Sequence, residues 1–393
     1  MAANKNNKAL NVPHLRFPEF CGEWKDCSIQ DYGEVVTGNT PPTSHAEYYE
    51  NGTYLWASPA DLGINKNITE TKTKLSLSGF KKTKNIPKGS VLVTCIGSTI
   101  GKMGMATETM ASNQQINSIV VNDKSNCDFV YYAICRAFPR YLAEVGVQAV
   151  PILSKSNFEK LPNYTTCREE QDKIGYFLNL LDERIATQNK IIEKLETLIK
   201  GIVDLSYDNS ATTKKLGNVI AQISQRNKSG KEMVVLSVNN KQGFIEQSEQ
   251  FEERIIASDD TSNYKMVCIN DFAYNPARIN VGSIARLKDK ECGIVSPMYI
   301  CFRTLGNMLP EYLELFFKTK QFALDVDKRL EGSVRLCLSY EGLCEIAIPI
   351  IAIEKQKTLV EKIASLYSKL DIEKKFLRNY KMQKQYLLSQ MFI

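Results

Sequence analysis

At 393 residues, 43% hydrophobic and 24% charged, the chain has the make-up of a soluble globular protein and is too long for one ordinary core. Its longest apolar run, Ile346 to Ile353, is broken by Pro349 and cannot span a bilayer, and the polar residues 1–11 lack the apolar core of a signal peptide, so a cytoplasmic protein with no membrane partner is expected. Fifty Lys and Arg against 44 Asp and Glu is a modest excess, and eleven cysteines with no Cys-x-x-Cys pair, none beside His14 or His45, exclude a close-spaced zinc site and predict reduced, mostly buried thiols.

In chain order, a turn at Gly33 leads through Glu34 to Thr37 into a loop marked by Gly38, Pro41 and Pro42. Short strands are predicted at Tyr54 to Ala57, Ser90 to Ile96 and Ile116 to Val121, then a helix near Phe129 to Val145. The order then recurs: Val219 to Ile223 follows a second turn, strands are expected at Val234 to Val238, Phe272 to Tyr274 and Met298 to Phe302, and a helix at Glu311 to Leu330. Setting Val91 on Phe272 also puts Gly89 on Asn270, Leu92 on Ala273 and Gly101 on Gly282. The halves share a framework and differ in their polar loops.

Each globular stretch is followed by a heptad pattern. Setting Gln171 on Gln356 overlays Ile174, Leu178, Leu181, Ile185, Ile192, Leu195 and Ile202 on Leu359, Ile363, Leu366, Leu370, Leu377, Tyr380 and Leu387, with steps of four and three typical of a coiled-coil seam. Gln188 and Glu373 put polar groups in the seam, and Lys384 stands where the first rod has Ile199; such residues fix register and partner. The rods, roughly 50 Å long, are expected to pair within the chain at high effective concentration. The expected division is a polar leader (1–11), a globular stretch (12–166), a helix (167–207), a linker (208–211), a second globular stretch (212–351) and a second helix (352–393). The fold class is α+β: two globular domains of similar mixed fold, each followed by a long helix, the helices pairing as an antiparallel coiled coil with pseudo-two-fold symmetry.

No constellation of residues amounts to an active site. Gly97 to Met103 is P-loop-like, but three residues rather than four separate its glycines and Met103 stands where a magnesium-binding hydroxyl belongs, so a glycine-punctuated turn is expected. Asp61, Glu70 and Lys72 match the loose layout of a metal-dependent nuclease, without an equivalent in the second half. The Asn275-Pro276-Ala277-Arg278 loop is similar to that of amino-methyltransferases but lacks the stacking aromatic. Basic residues cluster unevenly: Lys72, Lys74, Lys81, Lys82, Lys84 and Lys88 in the first half, and Arg226, Lys228, Lys231, Arg278, Arg286 and Lys288 in the second. Phosphate-binding surfaces have this pattern, as do solvated faces.

With these residues in place, the chain resembles a specificity subunit of type I restriction-modification systems. The segments that carry the resemblance are Trp56 to Leu62, Gly89 to Val93 followed by Gly97 to Lys102, Ser112 to Gln115, Ile294 to Tyr299, and the two rods after Arg168 to Gln171 and Ile353 to Gln356. The resemblance implies that 12–166 and 212–351 are target recognition domains, each reading one part of a split, asymmetric site on double-stranded DNA. It further implies that the rods are conserved spacers that set the gap and dock two methyltransferase subunits, with restriction translocase subunits joining through the complex. The chain itself would be non-catalytic and without cofactor; S-adenosylmethionine, ATP and magnesium are expected on the partners. Candidate DNA contacts are Lys81, Lys82, Lys84, Thr99, Lys102, Asn113, Gln114 and Gln115 in the first domain, and Arg226, Lys228, Lys231, Arg278, Asn280, Arg286 and Arg335 in the second. Asn113, Gln114 and Gln115 are candidates to pair adenines; Arg226, Arg278 and Arg335 are candidates for guanines or phosphates. The alternatives are an autonomous enzyme that cuts or modifies DNA, and a coiled-coil scaffold without DNA specificity.

Overall fold

The computed structural model describes residues 11–145, 152–208, 212–228, 233–240, 242–247, 261–333 and 335–393. Its contacts divide the chain into two units, one made of the chain up to Lys190 with Lys375–Ile393, the other of Ile191–Lys374. The division falls inside both rods.

The first unit runs through β1 (Lys25–Ser28), β2 (Gly33–Thr37), β3 (Tyr54–Ala57), β4 (Asn67–Ile68), β5 (Thr73–Leu75), β6 (Val91–Thr94), β7 (Met103–Ala106), β8 (Ala111–Ser112), β9 (Ile116–Val121), the helix Cys127–Val145 and β10 (Pro162–Thr165). A five-stranded sheet has the order β2-β9-β6-β7-β4, a three-stranded sheet the order β5-β3-β8, and β1 pairs with β10. The central run Val91-Leu92-Val93 is fully buried because the strand is covered on both faces. Val91 and Val93 face the helix, packing with Phe129, Ile134 and Phe138, whereas Leu92 faces Leu55, Met110 and Ile116.

The same core takes in both ends of the described chain within this unit. Phe392 packs against Trp24 and Phe129, with ring centroids 5.9 Å and 5.4 Å apart. The Leu15 amide donates to the Gln390 carbonyl. Arg16 forks onto the buried Glu170, at 2.7 and 2.8 Å to its two oxygens, and that carboxylate raises the pKa of the guanidinium. Residues following the polar leader thus tie the base of the first rod to the end of the second.

The second unit repeats the plan: β11 (Thr213–Lys215), β12 (Ile220–Ile223), β13 (Val235–Asn239), β14 (Gly243–Glu246), β15 (Lys265–Cys268), β16 (Phe272–Tyr274), β17 (Ile284–Arg286), β18 (Cys292–Val295), β19 (Ile300–Thr304) and β20 (Ala347–Pro349). The order β12-β19-β16-β17 answers β2-β9-β6-β7, and β11 pairs with β20 as β1 does with β10. A parallel pair recurs as well, β13 with β18 for β3 with β8. Gly89 and its counterpart Asn270 both take left-handed backbone, at φ 85° and 72°, and Gly101 and Gly282 both have φ 89°. Asn is among the few residues with a side chain that enter this region readily.

Gln171 and Gln356 are both buried and make the same bonds. Gln171 Oε1 accepts from the Asn126 amide and Nε2 donates to the Thr166 carbonyl; Gln356 Oε1 accepts from the Leu309 amide and Nε2 donates to the Ile351 carbonyl. In each unit one glutamine joins the start of a rod to the helix that precedes it in space.

The rods are single helices, Arg168–Asp208 and Ile353–Met391. Every expected seam residue is buried or half-buried, with Ile174, Leu178, Ile192, Ile363, Leu370 and Leu387 the most enclosed. In the first unit the helices meet through Lys384 and Asp182 and through Arg184 over the Tyr380 ring, so rising numbers on one meet falling numbers on the other. In the second unit Lys374 pairs with Glu196 at 2.7 Å. From Ile199 the buried positions step by four to Val203 and Tyr207, and Tyr207 packs on Tyr312 and Phe316. There the end of the rod packs on the helix Pro310–Phe316 of its own unit.

One expectation is corrected. Cys268 and Cys292, facing each other across β15 and β18, form a disulfide, because the antiparallel register sets two cysteines on directly opposed positions. The other nine cysteines are free thiols, of which only Cys95 and Cys301 are buried and Cys21 and Cys167 are exposed, so the expectation of mostly buried thiols is corrected too; burial pushes Cys95 and Cys301 up to about 12, which keeps them protonated.

Candidate nucleic-acid interface

In the first unit three loops converge. The Gly38 amide donates to the Ile116 carbonyl and the Asn39 amide to the Ser112 carbonyl. A Cβ on Gly38 would stand 2.2 Å from the Ser112 oxygen, so this approach requires glycine. Asn39 then clamps the lysine-rich segment: Nδ2 donates to the Lys82 carbonyl at 2.9 Å, and Oδ1 accepts from the Lys84 amide at 2.8 Å. Lys81, Lys82 and Lys84 are exposed around this clamp.

The three adjacent amides divide their roles. Asn113 is buried; its Oδ1 accepts from the Gln115 amide and its Nδ2 donates to Gln115 Oε1. Its hydrogen-bonding groups shape the loop, which corrects the expectation that it faces a base. Gln115 is half-buried and reaches back toward the Ile96 carbonyl. Only Gln114 is exposed, and the Thr40 hydroxyl donates to its Oε1 at 2.5 Å.

Gly97 to Met103 forms the turn of the β6–β7 hairpin, closed by Thr94 and Lys102 and by Gly101 and Thr94 backbone bonds. A hairpin has no helix N-terminus to receive phosphate, so the P-loop-like string is a turn. It carries the half-buried Thr99 and the exposed Lys102. Asp61 uses both oxygens locally, accepting from Ser58 on one and from the Lys72 amide on the other. Glu70 pairs with Lys74 instead. That trio is a folded loop, a reading the sequence left open.

In the second unit, the Asn275 side chain accepts from the Ala277 amide and shapes the turn that carries the exposed Arg278 and Asn280. The Leu338 amide donates to the Pro276 carbonyl, drawing in the segment 335–338 with the exposed Arg335. Arg226 and Lys228 stand exposed on another loop, where Arg226 donates to Asn263 at 3.0 Å. Lys231 lies outside the described residues.

Arg286 is corrected. It is turned inward, only 10% exposed along its side chain, and pairs with Glu311 at 2.6 Å and Glu314 at 3.0 Å. β17 aims it at the helix Pro310–Phe316, whose glutamates three positions apart share one face. Burial raises the Glu314 carboxyl, but Lys288, Lys318 and Arg286 outweigh it and the net shift is downward.

Sequence reasoning also missed a polar hub in the first unit. Lys66 is buried, 2.5 Å from Asp128 and 2.8 Å from Asn179 Oδ1, with Tyr132 donating to Asp182 beside it. Burial lowers the Lys66 pKa, partly offset by Asp128. No hydrophobic periodicity marks such a network, because its members come from a loop, a helix and both rods.

Residues 22–197 match the type I restriction modification DNA specificity domain. The chain is 29% identical over 186 residues to the HindI type I restriction enzyme specificity subunit of Haemophilus influenzae, a match covering 45% of this chain and 40% of that protein. It is 26% identical over 196 residues to the EcoR124I/EcoR124II specificity subunit of Escherichia coli, covering 46% of this chain and 45% of that one. The matched stretch thus spans less than half the length of these curated relatives. In fold, a type I restriction-modification S subunit from M. genitalium aligns over 97% of this chain and 99% of its own, with a TM-score of 0.60 at 16% identity. A chain from a structure of type I R-M complex assembly and conformational transition aligns over 94% and 97%, with a TM-score of 0.58 at 12% identity. Residues 22–197 of this chain are thus similar in sequence to type I restriction-modification specificity subunits, and its fold is similar to that of an S subunit from such a system.

Proposed function

We propose that this chain is the DNA sequence-recognition subunit of a type I restriction-modification complex, non-catalytic itself, reading a bipartite asymmetric target with one recognition domain for each part. The observation that carries this reading is the duplicated framework with unlike polar loops: equivalent strands, turns and glutamine braces present Lys81, Lys82, Lys84 and Gln114 in one unit, and Arg278, Asn280 and Arg335 in the other. The exposed cations supply salt-dependent affinity for phosphates, and the amides and guanidinium groups suit base edges in the major groove.

Methyltransferase subunits, two of them, dock on the rods, and translocase subunits join through the complex; S-adenosylmethionine, ATP and magnesium belong to those partners. Antiparallel pairing of the rods is supported by the cross-helix ion pairs inside each unit. No helix among the described residues is long and apolar enough to cross a membrane.

The test is domain exchange. Replacing residues 12–166 by the corresponding domain of a related subunit, followed by methylation mapping with partners present, is expected to change one half of the target and leave the other. A change in both halves, or methylation or cleavage by this chain alone, contradicts the reading.

A further inference from the structure

Resting on the DNA-recognition reading above, we propose that Gln114 reads an adenine in the half-target of the first domain, and that Thr40 is the positioning residue that orients its amide. Four observations converge on this pair. Gln114 is the exposed member of the Asn113-Gln114-Gln115 run; its neighbours are occupied in holding the loop. It stands on a backbone braced from several sides: the Asn113 amide bonds the Ala57 carbonyl, the Cys95 amide bonds the Gln115 carbonyl, and Asn39 bonds Ser112. The lysines at 81, 82 and 84 are held to the same place through the Asn39 clamp, which sets phosphate-binding cations beside the candidate base reader. Finally, the Thr40 hydroxyl donates to Gln114 Oε1, and among the described residues Gln114 Nε2 has no partner.

The Thr40 bond decides what the amide can present. The carbonyl oxygen of glutamine has two lone pairs, and Thr40 takes one. What faces outward is the second lone pair beside two N–H donors, a fixed acceptor-donor pair. The major-groove edge of adenine offers the complement, an N6 donor beside the N7 acceptor; guanine offers two acceptors there. A flipped amide would donate its NH2 group to the Thr40 oxygen, which can also accept, and would reverse the pattern; the acceptor-donor order follows from the orientation in the structure, in which Thr40 donates. Holding the side chain before binding also removes part of the ordering cost that a free surface glutamine bears.

The experiment uses the full chain assembled with its partner subunits and maps methylation over a library carrying every single-base change in the target. Gln114→Ala is expected to lose discrimination at one adenine-thymine pair of one half-target, by about tenfold or more, with the gap and the other half-target unchanged. Thr40→Val should weaken discrimination at that same pair by a smaller factor, and Thr40→Ser, which keeps the hydroxyl, should restore it. A specific wild-type complex whose Gln114→Ala form keeps every preference, or loses preference in both halves together, overturns this assignment alone. A wild-type complex without any sequence preference overturns the recognition reading, and the assignment with it.

Discussion

Lys384 Nζ stands 2.5 Å from Asp182 Oδ1, so the second rod places a cation where the heptad pattern calls for an apolar residue and the first rod answers it with a carboxylate. Asp182 also accepts from Tyr132 and lies near the buried Lys66. Removing it leaves Lys384 without its counter-charge and Tyr132 without its acceptor in a largely enclosed site, while Lys66 keeps Asp128. Asp182→Ala is therefore expected to destabilise the first unit by about 2 kcal/mol, whereas Lys384→Met costs less because Asp182 keeps its bond to Tyr132. Thermal unfolding of the two variants checks the ranking; equal losses would show that the ion pair acts alone and the hub does not matter.

The equivalence of Gln171 and Gln356 leads to paired local effects. Each alanine replacement leaves a buried amide and carbonyl unsatisfied, at about 1–3 kcal/mol. Hydrogen exchange should show lost protection at the Asn126 amide for Gln171→Ala and at the Leu309 amide for Gln356→Ala. Loss of protection at neither amide would mean that the glutamines do not brace the rods.

Acid should weaken the second unit through Glu314. Its folded-state pKa lies below the ordinary value of 4.5 despite burial, so the stability it contributes is present above that value and is lost as pH falls through the lowered one. Glu314→Gln should be less stable than the parent at neutral pH, and the gap should close below pH 4.5. A gap that persists unchanged in acid would trace the loss to packing.

Phe392 is 4% exposed among Trp24 and Phe129. Phe392→Ala should cost about 3–5 kcal/mol and change Trp24 fluorescence, with the second unit unaffected. An unaltered melting curve and spectrum would remove this residue from the core.

Much of the framework was legible in the residues. Setting Gln171 on Gln356 and Gly89 on Asn270 matched positions that share hydrogen bonds in one case and left-handed backbone in the other, because buried amides and positive φ restrict residue choice strongly. Seam positions were legible for the same reason: enclosure selects apolar side chains at fixed spacing. What each polar residue faces was not. Asn113 and Arg286 resemble Gln114 and Arg278 in sequence, yet two turn inward to satisfy a loop or a pair of glutamates. Those contacts depend on strand direction and on partners distant in the chain. The Cys268–Cys292 link and the seating of Phe392 were hidden likewise, since no local pattern announces a partner far along the sequence.

The seating of Phe392 and Met391 in the first core carries a consequence for biosynthesis. Those side chains leave the ribosome only after the whole of Ile191–Lys374 has been translated. The domain that emerges first must therefore wait, with Trp24 and Phe129 uncovered, until the later half is complete. A nascent chain stalled before Lys375 would expose that apolar patch to chaperones and proteases, making the finished rod a checkpoint on the quality of the domain it completes.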